Sequence, residues 1–484
     1  MVIMCAGFIF QHMMLNIPFD NSFARLAPIF YSVQTPSPVK SPRLVAFNHD
    51  LARLLGVSVG DTDELAQVFS GNRVPEGASP VAQAYAGHQF GHFNPQLGDG
   101  RAVLLGETIG TDGARRDIQL KGAGRTPYSR SGDGRAWLGP VLREYVVSEA
   151  MHALGIATTR ALAVVETGQS VQRETALPGA VLTRVAKSHL RVGTFQLFAA
   201  RRDIVSLKQL TDYAIARHYP GADGPMGLLR AVRDAQARLI AQWMGVGFIH
   251  GVMNTDNSSI SGETIDYGPC AFMDAYYPDT VFSSIDRGGR YAYSNQPDIA
   301  VWNLAQLATA LIGQIDDRDE AIEQATGIVH EMPALIEQNW MDVFRAKIGL
   351  TSRQDGDKDL ITDLLDIMAA QRADFTNTFR ALGSTGARTQ FRAPTAYDHW
   401  QQNWQARLVH EPDPKATMLS ANPAYIPRNH RIEQMIVAAK NGDYTLFNRL
   451  NTVLARPYSD QPDHTDLTAP PTKSNIVTAT FCGT

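Results

Sequence analysis

Residues 79–185 alternate Gly-rich loops with short β-type runs at 102–105, 117–121, 161–166 and 180–185, and beyond Val192 the apolar spacing turns helical. A run of strands followed by a run of helices predicts an α+β chain, with a small, mainly antiparallel sheet preceding a helical part. One helix interrupts the strands at 141–154, where Leu142, Tyr145, Val146, Ala150 and Leu154 fall near one face and Gly155 supplies the stop. Later, 229–244 reads as one long amphipathic helix, 245–272 as a turn-rich stretch, and 300–312 as a helix apolar on almost every side. At 484 residues the chain is longer than one hydrophobic core usually supports. The expected division is an ordered N-terminal extension (1–78), a β-rich lobe (79–192), an α-rich lobe (193–392) and a C-terminal helical extension with a polar tail (393–484). In that extension a helix pair spans 431–453, joined near Asn441-Gly442, and the tail from Tyr458 onward is expected to be mobile unless something docks it.

Hydrophobic residues at 44% and charged residues at 19% fit a globular enzyme. With a net charge of −4 there is no global basic field for nucleic acid or anionic membrane, so any phosphate binding must be local. The three cysteines, Cys5, Cys270 and Cys482, are too scattered for a disulfide framework or a closed zinc site, which fits a reducing cytoplasm. Residues 3–15 are apolar, but no Lys or Arg precedes them and Gln11 and His12 interrupt them, so they are not read as a signal segment; Met13 or Met14 is an alternative start.

The strongest chemical signal is His250-Gly-Val-Met-Asn-Thr-Asp-Asn257, followed by Ile265-Asp-Tyr-Gly268. Kinases use this order: a His-Gly-Asp or His-Arg-Asp loop ends in a metal-binding Asn, and a later Asp-Phe-Gly-like turn supplies a metal carboxylate. Here the base position is Val252, which cannot accept a proton, so ordinary phosphoryl transfer through it is excluded. Asn257 and Asp266 remain as oxygen ligands for a magnesium ion that keeps waters and takes its other ligands from a triphosphate. Asp256 is the nearby carboxylate able to act as base; read for composition alone, Asn-Thr-Asp-Asn is also good turn sequence.

Upstream, Lys121 ends a strand and Glu144 lies in the following helix, the order of the kinase lysine–glutamate pair, although two such residues are ordinarily separate surface groups. Gly98-Asp-Gly-Arg101 lacks the third glycine of a phosphate-covering loop, and no P-loop motif occurs. It is echoed by Gly132-Asp-Gly-Arg135, which reads as two similar turns. Arg184 and Arg191 flank a Ser-His-Leu turn and have the chemistry to clamp phosphate, against the commoner fate of solvation at a sheet edge. His88 and His92 have i, i+4 spacing, but glycines at 87 and 91 favour a loop with packing histidines over a metal site.

Together these residues resemble the selenoprotein O family of pseudokinases that act as protein adenylyltransferases. The match is carried by Ala86-Gly-His-Gln-Phe-Gly-His92, Gln96-Leu-Gly-Asp-Gly-Arg-Ala102, Gln119-Leu-Lys-Gly-Ala-Gly124, Thr126-Pro-Tyr-Ser-Arg130, Gly132-Asp-Gly-Arg-Ala136, Arg143-Glu-Tyr145, Ser148-Glu-Ala-Met151, the 250–257 string and Asp266-Tyr-Gly-Pro269, and runs from about Pro18 to Thr484. The resemblance implies a protein-kinase-like two-lobe fold in which ATP lies reversed and AMP passes to Ser, Thr or Tyr hydroxyls of proteins. It further implies that Lys121, positioned by Glu144, binds phosphate and that Arg184 and Arg191 hold the inward phosphates. Gly98, Gly100, Arg101, Asp133 and Gly134 fall on nucleotide-contact positions, Asn257 and Asp266 on the Mg2+ or Mn2+ site, and Asp256 on the base. Ser258 departs from the Met expected after the Asp-Asn pair. Cys482 stands where some members carry selenocysteine, and a reversible Cys270–Cys482 disulfide is the expected redox element. UMP transfer is a variant of the same reading. The alternatives are a small-molecule phosphotransferase of the His-Gly-Asp type, disfavoured by Val252, and an inactive nucleotide-binding scaffold, disfavoured by the remaining lysine and metal ligands.

Overall fold

A computed structural model describes residues 15–384 and 386–481, so Cys5, Cys482 and the apolar start lie outside the described residues. The chain is mixed α and β, and its contacts divide it into two compact units.

The first unit comprises residues up to Gln83, Asp99–Trp137 and Ala161–Val185. Its sheet has the order Tyr31–Val33, Val81–Gln83, Ala102–Ile109, Arg115–Lys121, Ala176–Ala186, Arg160–Gln172, Arg43–Phe47, with Ala136–Trp137 added to Ala176–Ala186. Antiparallel register puts Val103 opposite Leu120 and Leu104 opposite Gln119. The period of two then sends Val103, Leu105, Ile118 and Leu120 into one core with Leu51, Leu55, Leu65 and Phe69. Those last four come from helices His49–Leu54 and Thr62–Phe69 and their ends. Residues read as an extension thus supply two strands and one wall of the core.

The second unit comprises Ala84–Gly98, Leu138–Arg160 and the chain from Ala186 onward. The helix expected at 141–154 runs Leu138–Ala153 and packs here, on Asn429–Lys440 and Thr445–Leu454. Tyr145 meets Phe447 at 5.5 Å between ring centroids, and Arg143 pairs with Glu433. The long helix is Gly224–Gly245, opened by Pro225 in its first turn, and packs on Arg318–Lys347. The tail is docked rather than mobile as far as Phe481: Tyr458 donates to the Leu154 carbonyl at 3.1 Å, and Thr480 bridges Ser283 and donates to the Pro269 carbonyl.

Lys347 is wholly buried in this unit, with Nζ 2.9 Å from Asn422 Oδ1 and 4.2 Å from the Phe379 ring centroid. Burial pushes its pKa down to about 7. Below that pH folded and unfolded chains both carry the charge, and the fold bears its full desolvation cost; as pH rises toward the unfolded value of about 10.5 the cost fades. Lys347→Met is therefore expected to raise Tm relative to the parent more at pH 6 than at pH 9.5, by about 2 °C or more, checked by parallel thermal melts.

Candidate active site

In the second unit, helix Gly224–Gly245 delivers the chain to the short strand Phe248–Ile249, which pairs with Ala271–Phe272. His250 is completely buried, its Nε2 2.8 Å from the Ile265 carbonyl and its ring stacked on Trp243. Burial holds its pKa below the ordinary histidine value, so it serves as a neutral strut between the two motif strings. Val252 is buried as well. Thr255–Asn257 forms one 3-10 turn, and the Asn257 amide nitrogen donates to the Val252 carbonyl at 3.0 Å, so that Oδ1 is the side-chain atom with the chemistry to ligate a cation.

Asp256 is 9% exposed. Its Oδ2 accepts from Gln89 Nε2 at 2.9 Å, and its Oδ1 is buried without a hydrogen-bond partner. Burial pushes the carboxyl up to about 6, against the Gln89 bond and the nearby Arg191 charge. Arg191 itself bonds Asp266 Oδ2 at 3.1 Å and lies over the Tyr85 ring at 4.6 Å. Asp266 adopts a left-handed backbone, φ +65°, which Asp tolerates better than most residues. Asp256, Arg191 and Asp266 are thus brought within electrostatic reach of one another. Among the described residues no cluster of three or more His, Cys, Asp or Glu forms a self-contained metal site. The Asn257 amide and Asp266 carboxylate, two hard oxygen donors, suit an ion whose other ligands come from water and phosphate. Gly98 and the buried Glu144 also belong to this unit.

The first unit carries the glycine-rich residues. Lys121 ends its strand opposite Ala102. The amides of Gly122 and Ala123 donate to the Arg101 carbonyl, and that of Gly124 to the Gly134 carbonyl at 3.0 Å, so the three turns interlock through backbone. Gly134 needs its hydrogen: φ is +69°, and a Cβ there would stand 2.2 Å from the Gly124 carbonyl carbon. At Gly100 a Cβ would meet the Tyr128 carbonyl oxygen at 2.8 Å. Asp133 pairs with Arg173 at 2.8 Å, and that bond holds its carboxyl below the usual range. Arg184 and Arg191, each 2% exposed, are buried rather than solvated.

The partners of the 254–257 turn are not legible in the sequence. The stretch with His88 and His92 is a hairpin, Gly87–Gln89 paired with His92–Asn94, in which His88 packs against Trp302 while His92 is exposed. His88 N donates to Thr255 Oγ1 at 2.7 Å and Phe90 N to Asn254 Oδ1 at 3.1 Å, on either side of the Gln89–Asp256 bond. Only the short-range glycine pattern hinted at this clamp, because its partners lie up to 167 positions away.

No helix among the described residues is long and apolar enough to cross a membrane. Residues 13–455 match the family model described as protein adenylyltransferase SelO. Proteins named protein nucleotidyltransferase YdiU are similar across nearly the whole chain. The Ruegeria pomeroyi protein is 74% identical over 98% of this chain and 100% of its own. Relatives in Roseobacter denitrificans and Bradyrhizobium diazoefficiens are 65% and 56% identical at the same coverage. With this match added to the buried Asp256 turn and the Arg191–Asp266 pair, the chain is a nucleotidyltransferase that uses ATP and belongs to the protein adenylyltransferase SelO family.

Proposed function

We propose that this enzyme transfers AMP from ATP to Ser, Thr or Tyr hydroxyls of proteins, on a protein-kinase-like fold, with the terminal phosphates of ATP directed inward and the α-phosphate toward the acceptor. The observation that carries this reading is the substitution within the catalytic turn. The kinase base position is a buried valine, while Asp256, four residues on, is a buried carboxylate with one oxygen unpartnered. A carboxylate whose burial raises its proton affinity suits a general base. Asn257 and Asp266 hold Mg2+ or Mn2+, whose chemistry when bound is to neutralise charge on the triphosphate. Arg184 and Arg191 bind the inward phosphates, and Lys121 binds phosphate under the control of Glu144. Gly98, Gly100, Arg101, Asp133 and Gly134 line the nucleotide. Parallel incubation with α-labelled and γ-labelled ATP tests the reading: label should reach casein from the α position only, and label from the γ position would support phosphotransfer instead. An arm with α-labelled UTP decides whether UMP is accepted.

Lys121→Met and Glu144→Gln are both expected to lower turnover, by about 100-fold and 10-fold, because the glutamate acts only by placing the lysine. A double mutant no worse than Lys121→Met supports the pairing; simple additivity removes it.

The Cys270–Cys482 disulfide is the proposed redox element. Thr480 donates to the Pro269 carbonyl and lines one small cavity with the buried Cys270, which supports a docked tail as its setting. Mass mapping of oxidised protein is expected to find the crosslink, and reductant should change the transfer rate of the parent but not of Cys482→Ser.

A further inference from the structure

The hairpin 87–94 grips the catalytic turn one residue at a time: His88 N holds Thr255, the Gln89 side chain holds Asp256, and Phe90 N holds Asn254. Its two-residue loop, Phe90 and Gly91, has φ of +52° and +84°. Such a primed turn ordinarily takes Asn or Gly at both positions, so Phe90 bears a local strain that its surroundings must hold in place. Phe90 packs edge-on to Tyr291, whose hydroxyl donates to the same Asn254 Oδ1 at 2.6 Å. There is also no slack between hairpin and turn, since a Cβ on Gly87 would come within 3.0 Å of the Asp256 Cβ.

Within this clamp Gln89 makes the one side-chain contact to the Asp256 carboxylate. Asn94 Nδ2, across the hairpin, lies 3.4 Å from Gln89 Oε1, which orients the amide with its nitrogen toward Asp256. We propose that Gln89 is a positioning residue for AMP transfer: by tying Oδ2 of Asp256 it fixes the carboxylate plane and reserves Oδ1 for the proton of the acceptor hydroxyl. Oδ1 is buried and accepts from no group of the protein, which leaves it for a donor that arrives with the substrate. In the step served, the acceptor oxygen bonds to the α-phosphorus as the bond from that phosphorus to the bridging oxygen breaks. Pyrophosphate leaves with that electron pair, and the hydroxyl proton passes to Asp256 Oδ1. Gln89 touches neither nucleotide nor acceptor and acts only through Asp256. The inference rests on the assignment of Asp256 as base.

The test measures transfer from α-labelled ATP to casein, with magnesium, for the full-length parent, Gln89→Leu, Asp256→Asn and the double mutant. Gln89→Leu is expected to lower kcat about tenfold or more while KM for ATP stays within about twofold, and to add no further loss in the Asp256→Asn background. A kcat within about twofold of the parent, a loss appearing in KM instead, or the same factor lost with Asp256 already replaced would each overturn the positioning role. Should Gln89→Leu melt below the assay temperature, the isosteric Gln89→Glu, which replaces the donor amide with an acceptor, is read by the same criteria. If Asp256→Asn itself keeps the parental kcat, it is the base assignment that fails.

Discussion

Asp266→Ala is expected to lower label transfer from α-labelled ATP by about a hundredfold to a thousandfold, to near the background of the assay. Two losses coincide at this residue. The proposed metal site keeps only the neutral Asn257 amide, and Arg191, with its side chain 3% exposed, loses the carboxylate 3.1 Å away. Charge developing on the departing pyrophosphate then meets a site with its metal weakened and its arginine displaced. Alanine also fits poorly at φ +65°, so Asp266→Asn is the companion variant. Asparagine accepts the left-handed backbone readily and keeps the volume while removing the charge. Both variants should fall in initial-rate assays, and Asp266→Asn with parental activity would remove the metal assignment.

Asp256→Ala is expected to lower kcat by about 10²–10⁴-fold while ATP affinity, measured by calorimetry with magnesium, changes by less than about threefold. A base acts on the acceptor hydroxyl, so its loss leaves the nucleotide's contacts in place. Stability should move the other way. The carboxyl is buried with one oxygen unsatisfied, and truncation relieves the fold of that desolvation cost. A Tm at or above the parent's, together with the fall in kcat, is the signature of a group kept for chemistry; equal losses of ATP affinity and kcat would mark Asp256 as structural instead.

Local pattern made much of this legible and distance hid the rest. Strands at 102–105 and 117–121 can be read because the first is an unbroken apolar run, Ala102 to Leu105, and in the second Ile118 and Leu120 alternate with Asp117, Gln119 and Lys121; Val103, Leu105, Ile118 and Leu120 then enter one core. Tyr31–Val33 and Arg43–Phe47 could not, being short runs on either side of Pro36, Pro38 and Pro42. The 30-residue helix Arg318–Lys347 is not legible in the sequence because Pro333 interrupts it and much of its surface is polar. Helix Leu138–Ala153 was identified, but its partners Asn429–Lys440 and Thr445–Leu454 lie nearly 300 residues on in the chain, as the Arg143–Glu433 separation of 290 shows. The site followed the same rule. His250 to Asn257 and Asp266 declare themselves by spacing within one segment, whereas Gln89, which touches Asp256, sits in a string whose local signal is its pair of histidines and its glycines.

The hairpin's grip also bears on the order in which the chain folds. Its three bonds to the turn join residues 164 to 167 apart in sequence. Closing so long a loop carries an entropic cost that is met before the contacts form, so such pairings come late on the way to the native state. Helix Gly224–Gly245 and the turn after it are local and can form early, but the Asp256 carboxylate remains untethered until the hairpin arrives. The backbone amides of His88 and Phe90, each bonded to a side chain of the turn, are natural reporters of that last closure by hydrogen exchange. A partly folded chain, already compact and already carrying every residue of the motif, is therefore a chain whose Asp256 is not yet held by Gln89, and on the base role proposed for that carboxylate, nucleotidyl transfer is confined to molecules that have finished folding.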